Sequence, residues 1–322
     1  MRSLFIGAPG EVVLREVKKP SPKKGEILIE MRTCGVCGTD LEKIRGEAAT
    51  PRVLGHEVVG EVAELGRGVR GIHTGDRVFT HHHAPCYECE LCRRGEYTMC
   101  AEFPRHNIDP GGFSEYYVVP EWNVSRGAVL PLPDSVSFEE GSFIEPLGCC
   151  IRGLSKVNVM NFMSAIIYGA GPVGLTHLML LQHYGYTNVA VGDLSEYRLS
   201  FASRLGAKIF RPGDAGEKKK KKAARSALDG VAPELAIVAT GSSAAFVLPA
   251  RNHGAGELLD QRKGDYPRGE DARERGDRSH QTDHAQVQAR GGPSSLSSRR
   301  RAEVHQGSRE RLTVVGANSP VK

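Results

Sequence analysis

The 322-residue sequence is 39% hydrophobic and 25% charged, the balance of a soluble globular protein with room for two domains and a sizeable core. The opening Met1-Arg2-Ser3-Leu4-Phe5-Ile6-Gly7 has too short an apolar run for a secretory signal. No stretch nears the ~20 apolar residues of a membrane helix, so a cytoplasmic location without a membrane partner is expected. The net charge of +5 is uneven: residues 251–322 carry 14 Lys and Arg against 10 Asp and Glu. The body of the chain is therefore close to neutral and gives no case for a polyanionic partner.

In chain order, a strand is expected over Glu26–Met31, after the turn at Pro22–Gly25. Cys34-Gly35-Val36-Cys37 has the spacing of a redox pair but lacks the strand-then-helix surroundings of one. Thr39 and Asp40 follow at once. Next come Gly55-His56-Glu57-Val58-Val59-Gly60 and Gly66. Here a histidine and a carboxylate, both acceptable to zinc, stand among glycines that permit tight turns. His81-His82-His83 could line a cleft or simply end a strand, and no role is assigned to them.

The most informative stretch is Cys86-Tyr87-Glu88-Cys89-Glu90-Leu91-Cys92 with Cys100 beyond it. Four thiolates at C-x2-C-x2-C-x7-C spacing supply a complete tetrahedron for zinc. With every corner sulfur, no position remains for water or substrate, so the site is expected to be structural. Two disulfides are the competing reading, disfavoured in a chain without secretion signals. Cys149 and Cys150 read as buried packing thiols rather than ligands.

The second half begins with a short apolar strand, Ser164–Tyr168, that runs into Gly169-Ala170-Gly171-Pro172-Val173-Gly174 and then a helical stretch, Leu175–Tyr184. Strand, G-x-G-x-x-G and helix in that order is the context a dinucleotide-binding loop requires. The helix N-terminus would offer free N–H groups to the phosphates. A second strand, Asn188–Gly192, ends at Asp193, about where an acid accepts bonds from the adenosine ribose hydroxyls. A carboxylate there repels a 2′-phosphate and so favours NAD over NADP. An N-cap role for Asp193 on the helix expected at Ser195–Leu205 is compatible with ribose binding. Lys218–Lys222 reads as a solvated helix face or loop, since a lysine run alone is a poor nucleic-acid signal. Glu234–Gly241 reads as another strand and its turn.

Taken together, these motifs resemble the zinc-containing medium-chain alcohol/polyol dehydrogenases, the group that includes sorbitol, threonine and glucose dehydrogenases. The resemblance rests on Cys37-Gly38-Thr39-Asp40, on the Gly55-His56-Glu57 motif through Gly60, Gly66 and Val69, on the four-cysteine lobe and on Glu145-Pro146-Leu147. It covers about residues 1–248. It implies an α/β chain: a GroES-like β-rich catalytic domain over 1–148, with its structural-zinc lobe at about 84–102. An NAD-binding Rossmann doubly wound parallel sheet would follow over 149–250, and Gly111–Val119 resembles the strand that closes the catalytic domain.

The resemblance also implies a second, catalytic zinc held by Cys37, His56 and a carboxylate, and the sequence leaves open whether Glu57 or Glu145 binds directly. Thr39 matches the hydroxyl that passes the alcohol proton towards solvent. Glu42 stands where many relatives carry a histidine relay. Arg198 matches a basic residue that also touches the ribose. The cofactor loop is carried by Gly169, Gly171, Pro172, Val173 and Gly174. The implied activity is NAD-dependent oxidation of a secondary alcohol, polyol or sugar-like substrate in a homo-oligomer.

The pattern departs from the family after Leu248-Pro249. Residues 251–322 hold one aromatic, Tyr266, and few large apolar side chains, the composition of a disordered segment. They read as an out-of-frame translation or a replaced C-terminus. The Rossmann sheet is then expected to be incomplete, with its fourth strand left as an exposed apolar edge and the nicotinamide side of the pocket and the dimer-forming strand missing. That loss argues against an oligomer and raises the alternative of a catalytically impaired, zinc-stabilised protein. A nucleic-acid-binding tail is disfavoured, because its acids are interspersed and aromatics for stacking are nearly absent.

Overall fold

The computed structural model describes residues 1–46, 54–157, 159, 162–212, 217–241, 304–305 and 311–316, with 217–221 and the last two segments described by their backbone alone. The N-terminal half is β-rich. Strands β1 (Arg2–Ile6) and β2 (Val12–Glu16) pair as a hairpin. β3 (Ile27–Gly35), β4 (Glu57–Leu65), β5 (Arg77–Thr80), β6 (Tyr116–Val119) and β7 (Val129–Pro131) form an antiparallel sheet in the order β6-β3-β4-β5-β7. β3 begins where the Pro22–Gly25 turn predicts and runs four residues beyond the expected end at Met31, carrying Cys34 into the sheet.

Alternation along the strands builds the core of this half. Ile27, Ile29, Val58, Val62, Val78, Tyr117 and Val119 pack on one face of the sheet, while Val59, Phe79 and Leu132 pack on the other. Each fully buried side chain of this size contributes about 1.5–3 kcal/mol. Short helices α1 (Gly38–Arg45), α2 (Glu90–Arg93), α3 (Glu121–Ser125) and α4 (Phe138–Gly141) connect or flank the strands. Helix α5 (Ile144–Ser155) then leads out of this half, in contact with β4 and with the elements that follow.

The second half is a parallel sheet. β8 (Ser164–Tyr168), β9 (Asn188–Gly192), β10 (Lys208–Phe210) and β11 (Leu235–Val238) alternate with α6 (Pro172–His183), α7 (Glu196–Arg204) and α8 (Glu217–Ala227). Every residue of β8 is buried. Ala165 and Ile167 pack with Leu178 and Ala202 of α6 and α7, whereas Ile166 and Tyr168 pack with Ala224 and Leu228. Burial on both faces explains the unbroken apolar run by which these strands were legible. The lysine run falls on α8, which begins at Glu217.

One expectation is corrected here. The edge of β11 is not left open: β13 (Arg311–Gly316) lies parallel beside it, Leu235 opposite Thr313 and Val238 opposite Gly316, and β12 (Val304–His305) pairs antiparallel with β13. The sheet order is β10-β9-β8-β11-β13-β12. Arg311-Leu312-Thr313-Val314-Val315-Gly316 is a β-branched run closed by glycine, a strand signal that the polar average of the tail conceals. The expected disorder or frameshift of the rest of 251–322 lies outside the described residues.

Candidate functional site

Two groups of metal-ligating side chains stand out among the described residues: Cys86, Cys89, Cys92 and Cys100, and separately Cys37, His56 and Glu57. The donor atoms within each group lie within 4.8 Å of one another. In the first, Cys86 Sγ lies 3.8 Å from Cys92 Sγ and 3.6 Å from Cys100 Sγ. A tetrahedron with Zn–S bonds of about 2.3 Å has sulfurs about 3.8 Å apart. A disulfide would need about 2.05 Å, and all eight cysteines are free.

The loop is also shaped for thiolates. Tyr87 adopts a left-handed φ of 63°, and the N–H groups of Glu88 and Cys89 donate to Cys86 Sγ at 3.4 and 3.3 Å. Those donors pull the Cys86 thiol down to about 6, while burial pushes Cys92 up to about 12. The four sulfurs fit a closed zinc site.

The second group is assembled by three neighbouring elements. Cys37 precedes α1 as its N-cap. His56 and Glu57 sit at the start of β4, which lies beside β3. His56 is 7% exposed, and Cys37 and Glu57 are partly buried. Beneath them is Asp40, with 0% exposure. Its carboxylate accepts the N–H groups of Cys37 at 3.2 Å and Gly55 at 3.0 Å, and its Oδ1 stands 3.4 Å from His56 Nδ1.

His56 Nδ1 makes no hydrogen bond, but facing Asp40 it leaves Nε2 as the ring nitrogen free to meet a metal. Burial disfavours a charged His56, but Asp40 and Cys37 outweigh it and raise the ring to about 10. The negative charge of Asp40 and Cys37 thus favours a cation in this pocket. A thiol, an imidazole and a carboxylate are the donor set of an open zinc site.

Glu145, in the first turn of α5, is outside this group, yet its charge adds to burial in raising Glu57. Thr39 Oγ1 lies 3.7 Å from Cys37 Sγ. Glu42 is partly buried on α1. Sequence reasoning left two residues without roles. Asp40 was visible only as part of a motif, and its position under His56 depends on the packing of α1 against the segment entering β4. His82 has its ring centroid 4.9 Å from that of His56 and so walls the site. The expectation for the thiol pair also needs correction. Cys150 is 2% exposed, but Cys149 is exposed and donates to Glu145 Oε1 at 3.3 Å.

The glycine loop has the geometry of a phosphate cradle. Gly169 is left-handed at φ 106°, and a Cβ on Gly174 would fall 1.9 Å from Gly169 O, so the turn and the helix–strand contact both demand glycine. A Cβ on Gly171 would meet nothing within 4 Å, which is the open side. Pro172 and Val173 start α6, whose free N–H groups face that space. Asp193 Oδ2 accepts the Ala170 N–H and Oδ1 the Ser195 N–H, both at 2.8 Å. Ser195, not Asp193, is the N-cap of α7. Arg198 Nη1 stands 3.9 Å from Asp193 Oδ2. The loop fits a dinucleotide.

Comparison with known proteins gives a consistent picture. Residues 23–134 match the alcohol dehydrogenase GroES-like domain. The L-threonine 3-dehydrogenase of Pseudoalteromonas translucida is 33% identical over 206 residues, 62% of this chain and 58% of that protein. The chain thus spans about three-fifths of the length of the curated relatives it matches. The alcohol dehydrogenase rspB of Escherichia coli CFT073, complexed with NADH, is 30% identical with a TM-score of 0.65, covering 77% of this chain and 73% of that one. A protein described as a zinc-binding dehydrogenase from Sinorhizobium meliloti 1021, bound to NADP, is 28% identical with a TM-score of 0.66, covering 76% and 71%.

Proposed function

The chain belongs to the zinc-containing medium-chain alcohol/polyol dehydrogenase family, and from that premise we propose that it oxidises a secondary alcohol or polyol with NAD, using one catalytic and one structural zinc. The observation that carries the reading is the joint presence of an open Cys37/His56/Glu57 donor set and a glycine cradle that opens at Gly171. When bound, zinc supplies a Lewis acid for the substrate hydroxyl and NAD a hydride acceptor.

The chain's own residues do the rest. Cys37, His56 and Glu57 hold the metal, Glu145 supplies a second carboxylate beside them, and Asp40 orients the imidazole. Thr39 accepts the proton released by the substrate hydroxyl and hands it towards Glu42 and solvent. Gly169, Gly171 and Gly174, with Pro172 and Val173 at the start of α6, seat the pyrophosphate. Asp193 and Arg198 meet the ribose, and the carboxylate favours NAD over NADP. The Cys86/Cys89/Cys92/Cys100 lobe binds the closed zinc.

The test is substrate-dependent NADH formation by the zinc-loaded chain against a panel of secondary alcohols and polyols, L-threonine among them. Turnover that disappears in Cys37→Ser supports the reading. Turnover unaffected by that substitution, or absent with every substrate, overturns it. In the latter case the second reading holds, a zinc-stabilised relative without turnover, favoured by the departure of residues 251–322 from the family pattern.

A further inference from the structure

The three histidines that follow β5 are not equivalent. His81 Nδ1 is bonded to the His83 carbonyl, and His83 Nδ1 to the His106 carbonyl at 3.1 Å. His82 Nδ1 is enclosed and has no partner. His82 is held by its backbone instead: its carbonyl accepts from Asn123 Nδ2 at 3.0 Å, and Asn123 is 0% exposed. The sheet places this residue. Val58 of β4 stands opposite Thr80 of β5, and two further steps along that register set His56 opposite His82 on the same face. Their ring centroids accordingly lie 4.9 Å apart. On its other sides the His82 ring has His81 and His83, with centroids 5.6 and 4.1 Å away. His82 is thus a fixed wall of the Cys37/His56/Glu57 group, and the steps assigned above do not use it.

A neutral imidazole has one N–H and one acceptor nitrogen. An enclosed N–H without an acceptor is the rarer of the two orphans, so the proton of the His82 ring belongs on Nε2. No described residue bonds that nitrogen, and the residue as a whole is only partly buried. With Nδ1 enclosed, Nε2 is the ring nitrogen left for a ligand. We infer that His82 is a specificity-determining residue: its Nε2–H donates to a second substrate oxygen, on the carbon next to the one that is oxidised. The inference rests on the reading of Cys37, His56 and Glu57 as the group that holds the reacting hydroxyl. Neighbouring rings on one sheet face suit two oxygens on neighbouring carbons, so the substrate class is a vicinal diol or polyol. A monoalcohol leaves the N–H unpaired. An ammonium on the neighbouring carbon offers donors only, so a vicinal amino alcohol loses the contact as well.

The experiment compares kcat/KM of the zinc-loaded full chain for 2,3-butanediol, 2-butanol and 3-amino-2-butanol, in the parent, in His82→Phe and in His82→Gln. The parent should prefer the diol to the other two by about fivefold or more, the worth of one hydrogen bond. His82→Phe should lose that preference while its kcat/KM for 2-butanol stays within about twofold of the parent's. His82→Gln keeps an N–H donor and should retain most of the preference. Equal zinc content and an unchanged thermal midpoint report that the variants are folded, and the parent's own preference needs no variant. A parent that does not prefer the diol, a preference untouched by His82→Phe, or equal losses on all three substrates overturns the role of His82 and leaves the proposed function standing. A parent that accepts a monoalcohol or an amino alcohol but no diol does the same. A parent inert towards every alcohol overturns the proposed function itself, and the inference with it.

Discussion

Asp193 ends β9 with both carboxylate oxygens already receiving backbone N–H groups, one from the glycine loop and one from the start of α7. Each oxygen keeps a further lone pair, so ribose hydroxyls can still be accepted. The same charge opposes a 2′-phosphate, while Arg198 close by would welcome one. Asp193→Ser is therefore expected to shift the NADH-to-NADPH affinity ratio at least tenfold towards NADPH, measured by fluorescence titration. An unchanged ratio would assign discrimination elsewhere.

A second residue, His177 on α6, is 2% exposed with Nδ1 lacking a partner, and burial lowers it from 6.5 to about 4. Its folded value lies below the unfolded one. As pH falls from 6.5 the unfolded chain binds the proton first, and stability is lost down to about pH 4. The loss approaches about 3 kcal/mol at 1.36 kcal/mol per unit. His177→Leu should flatten the stability profile by about that much across this window in denaturant titrations. A profile parallel to the parent's would show that His177 is not the titrating group.

At this scale, donor identities were legible because short spacings in sequence imply closeness in space, as in the four-cysteine lobe. Asp40 under His56 and His82 beside it were not legible. Each depends on how separate elements pack.

Helix α5 joins several parts of the described structure. Its N-terminal turn carries Glu145, and Cys150 contacts α6 just after the glycine loop. Its C-terminal half grips the four-cysteine lobe: Arg152 donates to Gly95 O at 3.2 Å, and Lys156 meets both Glu96 oxygens at 2.7 Å. The Lys156–Glu96 pair is partly exposed and contributes little to stability. The strands of the parallel sheet were read to the residue at Ser164–Tyr168 and Asn188–Gly192 because burial on both faces writes a continuous apolar run. β13 escaped that reading, since six strand residues are diluted by a long polar segment. It covers the edge of β11, whose residues Leu235–Val238 are all buried. A chain ended at residue 303 should therefore self-associate through that edge and elute as aggregate in size-exclusion chromatography. A monodisperse truncated chain of unchanged cofactor affinity would show that β13 is dispensable.

For the whole molecule, the fold was legible in outline because two kinds of pattern change along the chain. Short antiparallel strands with glycine-bounded turns give way to strands alternating with helices, as expected of a GroES-like half followed by a parallel dinucleotide-binding sheet. What composition alone obscured was the return of the chain to that sheet after residue 300. With β13 in place, the cofactor side of the molecule has five consecutive parallel strands around the glycine loop. Cofactor binding is the property that depends on this arrangement most directly. The decisive measurement is fluorescence titration of the zinc-loaded, full-length chain with NADH. Saturable binding at one site per chain, competed by NAD and weakened at least tenfold in Asp193→Ala, is the expected result. A soluble, zinc-loaded chain that gives no saturable signal, or one whose affinity is indifferent to Asp193, would contradict the assignment of this sheet as a working dinucleotide site.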